Sequence, residues 1–443
     1  MIDTTRGTDD MSSTFSRRRL LQAGAVLGVA APVLAACGFA PRQQSDGIRF
    51  SSYGDQKKLG LRGQLADLYT QGHPDVKVTF EGSATAEYWD KLATQMAGGN
   101  APDVINIDIA RIGQYSAGGA LAPVDEFIPA MIKTEFFDEN LLVQGRVDGK
   151  QYGVPVAMST YSMAYDVTAL DSIGVAHPDG TWTWEDYAAL CNEIRRASGN
   201  TLYGSEDPSG DPQSLEIFLR SKGEALYRDR TDLGFTEDSL AEWFEYWAAL
   251  RSSGGVIPAD IAAQSQYGDW PTMPIVKKIA PLGHIYTANL QGGMQSLTDH
   301  TIDITLPPRY TKDGKAPQFP APSSYLSLNA RCTRKADAAD FINWFANGEE
   351  AAHTLRLISG PPASSAARDV LLAGQLEPSE KQVLDYTNLA LENTLPPPPP
   401  APPSSTAVAD LLLKTSQDIA FGSTSVQDGV RTFFTDARKS LAA

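Results

Sequence analysis

The residues on either side of Cys37 are typical of a site where a cysteine is modified covalently. Leu34, Ala35 and Ala36 precede it, and Gly38 follows it. A signal peptidase requires small side chains directly before its cleavage site, and cleavage here would leave Cys37 as the new N-terminus. A thiol in that position can carry a lipid. The spacing of these residues therefore predicts a covalent lipid modification on Cys37.

The residues before this cysteine complete an export signal. A basic cluster, Arg17–Arg19, is followed by an apolar, alanine-rich stretch from Leu20 to Leu34, which is shorter than the roughly 20 residues of a permanent membrane span. The three parts together resemble a bacterial lipoprotein signal. The paired arginines resemble a twin-arginine export signal, although three arginines also suit an ordinary secretory leader. We expect residues 1–36 to be removed, residues 37–46 to form a polar tether, and the protein to lie at the extracellular face of the cell membrane.

Combinations of residues that perform catalysis do not occur at usable spacings. The chain has no Gly-x-Ser-x-Gly elbow, His-Glu-x-x-His motif, phosphate loop or dinucleotide fingerprint. Adjacent carboxylates, Glu185 with Asp186 and Asp125 with Glu126, are expected on solvated helix faces or caps. The five histidines are scattered, with no metal-ligand spacing between any two of them: His73, His177, His284, His300 and His353. We therefore expect a protein that is not an enzyme and that needs neither a metal nor a cofactor.

Strands and helices alternate in the segment that follows the tether. The predicted elements are strand 48–50, helix 57–71, strand 76–80, helix 88–96 and strand 102–108. This β-α-β-α-β order implies an open α/β sheet with right-handed crossovers, and such sheets bind ligands beyond the carboxyl ends of their strands. The polar residues at those ends are Ser52 to Asp55, Glu81 to Ser83, and Asp108 to Arg111.

The rest of the chain is richer in helical patterns. Thr183 is a plausible N-cap, with Asp186 three residues further on. The predicted helices are 184–197, 214–222, 236–251, 336–347, 379–388, 407–419 and 425–441. Ile302 to Leu306 has the alternation of a strand. The proline run 395–403 must be extended and most simply forms a stiff connector at the surface.

Composition excludes some classes of partner. The net charge of −16 disfavours nucleic acid and anionic membrane surfaces. A hydrophobic content of 42% is sufficient for a large core. Cys191 and Cys332 have no metal-like spacing; they either pair outside the cytoplasm or are two separate buried thiols.

An ordered set of short motifs resembles one protein family over nearly all of the chain after the tether. The motifs are Tyr88–Leu92, Gly98–Val104, Gly118–Asp125, Asp148–Pro155, Tyr161–Asp166, Thr181–Tyr187, Phe341–Phe345 and Gly360–Ala363. Together they resemble the extracellular sugar-binding proteins of bacterial ABC importers. The chain departs from the family pattern at Asp166, where asparagine is usual, at His284, where an aromatic residue is frequent, and over 273–278.

The resemblance implies an α/β, periplasmic-binding-protein-like (type II) fold, with two lobes joined by a three-segment hinge and a ligand cleft between them. The crossovers are expected near 157–160, 318–323 and 361–365. Lobe one would then contain 47–157 plus 321–362, and lobe two 158–320 plus 363–443. Such lobes close on a solute by hinge motion. The implied function is that of a monomeric, lipid-anchored subunit that captures a sugar or oligosaccharide and delivers it to the membrane permease.

A sugar site needs aromatic platforms and hydrogen-bonding side chains in a cleft. The positions that match the family pattern are Tyr53, Asp55, Ser83, Trp89, Asp108, Arg111, Ser159, Tyr161, Trp270, Gly283, His284, Tyr286 and Tyr325. Trp89 has an alternative role as a core contact of its helix.

Two other functions remain open. One is binding of a non-sugar solute, such as a glycerophosphodiester or a peptide, and the other is a secreted carbohydrate-active enzyme. Arg111 is the only basic residue expected at the site, which disfavours a phosphate ligand.

Overall fold

The first strands and helices alternate as their hydrophobic patterns predicted. The computed structural model describes residues 47–265, 269–399 and 401–442. Its first elements are β1 (Gly47–Tyr53), α1 (Gln56–Gly72), β2 (Lys77–Ser83), α2 (Thr85–Ala97), β3 (Val104–Ile107) and α3 (Ile109–Ala117). β1 pairs in parallel with both β2 and β3. The predicted signal segment, the tether and Cys37 lie outside the described residues.

The chain then adds further strands between groups of helices. The remaining elements are β4 (Leu121–Ala122), α4 (Glu139–Leu142), β5 (Arg146–Val147), β6 (Lys150–Gln151), β7 (Val154–Asp166), α5 (Val167–Ile173), α6 (Trp184–Ala197), α7 (Pro212–Ser221), α8 (Glu237–Ser253), α9 (Ala259–Ala262), β8 (Leu282–Tyr286), β9 (Ile302–Thr305), β10 (Pro320–Asn329), α10 (Lys335–Asn347), α11 (Glu349–Leu355), α12 (Ser365–Ala373), α13 (Pro378–Glu392), α14 (Ser405–Ala420) and α15 (Val426–Leu441). None of these described helices is long and apolar enough to cross a membrane.

One long strand is shared by the two halves of the main sheet. Among the described strands the order is β2-β1-β3-β10-β7-β8, with β4 beside β10 and β9 beside β7. Residues 154–160 of β7 pair with β10, whereas residues 161–166 pair with β8 and β9. The first and second predicted crossovers therefore lie within paired strands, and β10 begins at Pro320, where the sequence predicted a connection.

The three segments predicted to cross between lobes lie side by side. The amide of Met158 donates to the carbonyl of Pro361 over 2.9 Å, and the amide of Ala363 donates to the carbonyl of Val156 over 3.4 Å. On the other side of β7, Ser324 pairs with Ala157. The three segments are therefore direct neighbours in the structure.

Two large hydrophobic cores stabilise the two halves of the molecule. One contains Phe50 and Phe341, and the other contains Trp243 and Trp247. Cys332 belongs to the first core and Cys191 to the second, and the two buried thiols do not form a disulfide.

Helix α6 has the predicted ends. Thr183 and Asp186 form a reciprocal capping box, and the helix runs from Trp184 to Ala197 as its apolar periodicity indicated. The proline connector before α14 forms neither helix nor strand in its described part. Arg220 holds its start, because the guanidinium donates to the carbonyl oxygens of Pro317 and Pro396.

Candidate functional site

Four of the predicted site residues meet at the carboxyl ends of β1 and β3. The rings of Tyr53 and Trp89 lie 5.0 Å apart, and the guanidinium carbon of Arg111 lies 3.8 Å from the centre of the Trp89 ring. Asp108 occupies the N-cap position of α3 without capping it, and its carboxylate pairs with Arg111 one turn further on. The structure thus brings these four side chains together at an edge of the sheet where open α/β sheets bind ligands.

The Asp108–Arg111 pair presents an acceptor beside a donor. Both side chains are about one-third exposed, and Asp108 Oδ1 has no hydrogen-bond partner among the described residues. Burial raises the pKa of the nearby Tyr53 hydroxyl, and the charge of Asp108 raises it further. Because Arg111 covers one face of Trp89, that indole orients the guanidinium rather than offering an open platform on that face. A carboxylate next to a guanidinium matches two neighbouring hydroxyl groups of a solute.

Asp55 and Ser83 lie at the same edge of the sheet in local structural roles. The Asp55 carboxylate caps α1 by accepting from the amide of Lys58 over 2.8 Å, and this hydrogen bond lowers the pKa of Asp55. Ser83 ends β2 opposite Tyr53, and its carbonyl accepts from the amide of Gly54. Neither side chain joins the Asp108–Arg111 pair.

A cavity of about 490 Å³ lies in the other half of the molecule. Three stretches of chain supply most of its lining: the acidic loop from Glu206 to Asp211, the segment 257–265, and one face of α14 from Ala409 onward together with its C-cap, Phe421. His284 of β8 also contributes. Sequence reasoning identified His284 but missed the acidic loop. The signal available was a run of three carboxylates, a proline and a glycine directly before a helix.

His284 forms a buried charged group with two carboxylates. Its backbone amide donates to Glu206 Oε1 over 2.7 Å, its Nδ1 contacts the same oxygen, and its Nε2 lies 3.6 Å from Asp211 Oδ2. Burial alone would lower the pKa of His284, but the charge and hydrogen bond of Glu206 and the charge of Asp211 outweigh it and raise the pKa to about 9. His284 is therefore an imidazolium at neutral pH.

Tyr161 and Tyr325 do not have the positions expected of ligand contacts. Tyr325 is 0% exposed and packs in a core with Ile107 and Leu121, so it does not lie where a ligand contact was expected. Tyr161 is 3% exposed and stacks on the His284 ring at 5.4 Å, with the planes 11° apart. Tyr161 therefore covers one face of the His284 ring, and a sugar cannot stack on that face.

The remaining predicted residues surround these groups. Ser159 is buried and accepts from the amide of Ala288, which ties β7 to the turn after β8. Gly283 lies next to Glu206, and a Cβ there would make only an ordinary contact of 3.4 Å with Oε1. Tyr286 is half-buried with its ring 5.7 Å from that of Tyr161. Trp270 is half-buried against Gly293 in a separate core.

The fold agrees with what comparison with known proteins finds. A family model described as bacterial extracellular solute-binding protein matches residues 64–379, and the chain belongs to this family. The solved structure of an extracellular solute-binding protein family 1 from Alicyclobacillus acidocaldarius is similar, with a TM-score of 0.80 and 27% identity over 90% of this chain and 98% of that one. Both findings confirm the resemblance and the α/β fold that it implied.

Curated relatives are more distant. The arabinooligosaccharide-binding protein of Bacillus subtilis is 21% identical over 44% of this chain and 45% of its own length. A lipoprotein encoded in the oleD 5' region of Streptomyces antibioticus is 25% identical over 46% of this chain and 47% of its own. The chain spans about half the length of the first curated relatives that it matches.

Proposed function

We propose that this protein is the lipid-anchored, extracellular binding subunit of an ABC importer and that it captures a sugar or oligosaccharide. The observation that carries the proposal is the composition of the cavity wall between the acidic loop and α14. Asp211, Gln213 and Gln417 supply hydrogen-bonding groups, while Leu413 and Phe421 are 48% and 56% exposed. A sugar has a hydroxyl rim and apolar C–H faces, so it matches a wall that offers both kinds of surface.

Closure of the two lobes would complete the site. With lobe one as 47–157 plus 321–362, the Asp108–Arg111 pair belongs to lobe one and the cavity belongs to lobe two. The adjacent segments at Met158 and Pro361 support a bend there, because few backbone positions need to change. A closed protein would bury the solute and present a different surface to the permease from that of the open protein.

Asp108→Ala should weaken sugar binding by at least about tenfold, since a charged acceptor of hydroxyl groups contributes roughly 1.5–3 kcal/mol. Titration calorimetry of the chain from Cys37 onward, against neutral, amino and acidic saccharides of one to four rings, measures this effect. The matched control is Asp67→Ala, because Asp67 is an exposed carboxylate on α1 outside the site. The proposal fails if no saccharide saturates the protein or if both variants bind alike. Chromatography of the incubated oligosaccharides should show no products.

Cys37→Ala should release the protein from the membrane fraction without changing its affinity for the solute. A diacylglyceryl group supplies two acyl chains, which give stable anchoring where a single chain is marginal. Fractionation of cells that express each form, followed by calorimetry on both, tests this expectation. A variant that stays with the membrane would show that something other than lipid on Cys37 holds it there.

A further inference from the structure

The four carboxylates that line the cavity share two cations, His284 and Arg251. Glu206 contacts His284, and Asp207 pairs with Arg251 while accepting from the amide of Ser209. The Asp207 side chain is 2% exposed, so its charge is both buried and neutralised. These two pairs therefore contribute little net charge to a solute in the cavity.

Neither Asp211 nor Asp410 has a cation of its own among the described residues. Asp211 caps α7 through Oδ2, which accepts from the amide and the hydroxyl of Ser214 over 2.7 Å each, and no described hydrogen bond engages Oδ1. Its nearest cation, His284, is already shared with Glu206. Asp410, on the second turn of α14, is exposed and takes part in no described hydrogen bond or ion pair.

Basic side chains are scarce around the cavity. The described lining residues include no lysine and no arginine, and His284 is their only histidine. Lys414 of α14 is absent from the lining and pairs with Asp418. On the proposed opposite lobe, Arg111 is neutralised by Asp108. A solute would therefore meet about two uncompensated negative charges, and a concave wall focuses their field.

Resting on the proposed function, we infer that the solute carries a positive charge: Asp211 and Asp410 select a protonated amine on a saccharide and reject a uronate. An ammonium group donates three hydrogen bonds and matches acceptor-only carboxylates, whereas a second carboxylate would add like charge to a partly desolvated wall. Neutral sugars would bind through their hydroxyl groups alone.

The test compares saccharides that differ only in charge. Titration calorimetry at about pH 6 uses β-1,4-linked glucosamine oligomers of one to four rings, their N-acetylated forms, the matching glucose oligomers and oligogalacturonates, with spermidine as an amine that is not a sugar. The glucosamine series should bind at least about tenfold more tightly than its acetylated counterpart, and its affinity should fall with added salt. The oligogalacturonates should not bind.

Asp211→Asn separates charge from folding, because asparagine is also a good N-cap for α7. It should weaken glucosamine binding about tenfold and acetylated or neutral binding less than about threefold. Asp410→Asn should also weaken glucosamine binding more than acetylated or neutral binding. Asp67→Asn, which removes one negative charge from α1, should change neither affinity. Within one variant, the ratio of the affinity for glucosamine oligomers to the affinity for their acetylated counterparts is insensitive to a general loss of stability.

The outcomes distinguish the inference from the proposed function. The inference is wrong if oligogalacturonates or any neutral sugar bind more tightly than every amine form, or if Asp211→Asn weakens all saccharides equally; a sugar-binding role would survive both results. Binding of spermidine with no saccharide bound would refute the sugar-binding role and keep the preference for amines. Absence of all binding would overturn both.

Discussion

Raising the pH from about 6.5 to about 9 should lower the free energy of unfolding by about 3 kcal/mol through His284 alone. Glu206 and Asp211 hold the folded-state pKa of His284 at about 9, whereas an unfolded histidine titrates near 6.5. The folded protein therefore binds the proton more tightly. This stabilisation is fully present below pH 6.5 and is lost as the pH rises through 9. Tyr161, which stacks on the ring, stays neutral in this window because burial raises its pKa.

Urea denaturation at about pH 6, 7.5 and 9.5 measures this loss. His284→Gln should remove most of the decrease in unfolding free energy between pH 6 and pH 9.5. At pH 6 this variant should also be less stable than the parent, because Glu206 then lacks its counter-charge. His353→Gln, at a half-exposed position on α11, is the control and should keep the parent's pH dependence. If His284→Gln keeps the parent's decrease, the buried group is not its source.

Arg62→Met should cost about 3–4 kcal/mol of unfolding free energy, the range for breaking a buried charged hydrogen-bond network. Arg62 is 3% exposed, and its guanidinium contacts four acceptors: the Ser52 hydroxyl, the Tyr53 carbonyl at 3.0 Å, and the Asn106 and Ser359 side chains at 3.2 Å each. Burial lowers the pKa of Arg62 to about 10, so it still carries its charge near neutral pH. Methionine fills the volume but leaves these acceptors without their donor.

Arg62 also joins the site to the residues just before the third predicted crossover. It connects the ends of β1 and β3 with Ser359, which lies just before Pro361. We therefore expect Arg62→Met to weaken solute binding as well, whereas Arg431→Met, which removes an exposed ion pair with Asp428, should cost less than about 1 kcal/mol and leave binding unchanged. Urea denaturation and calorimetry on both variants decide the matter. Equal stability of the two variants would mean that the Arg62 network contributes little.

Features encoded by neighbouring residues could be predicted from the sequence. The bounds of α6 and its capping box follow from Thr183, Asp186 and a regular apolar spacing, all within one short segment. The extents of β7 and β10 could not be predicted in this way. Their pairing joins Thr160 to Pro320, which are far apart in the chain, and prolines near position 320 argue locally against a strand.

The candidate site likewise contains residues that local sequence could predict and residues that only the fold brings together. Tyr53, Trp89, Asp108 and Arg111 lie close together because strand ends in an open α/β sheet converge, and their contact with a ligand stays a prediction. Tyr325 was misplaced because successive strand residues face opposite sides, so an error of one position reverses the assignment. The acidic loop was missed because only the fold brings Glu206 to His284, 78 residues further along the chain.

The position of β10 in the sheet has a consequence for how the protein is made. β10 lies between β3 and β7, although it is encoded more than 150 residues after either of them begins. Until the ribosome has released residue 329, both neighbours keep open edges that can pair with other chains. The half of the molecule that contains Asp108 therefore cannot finish folding during most of synthesis, and a chaperone that shields those edges would protect the nascent chain from aggregation.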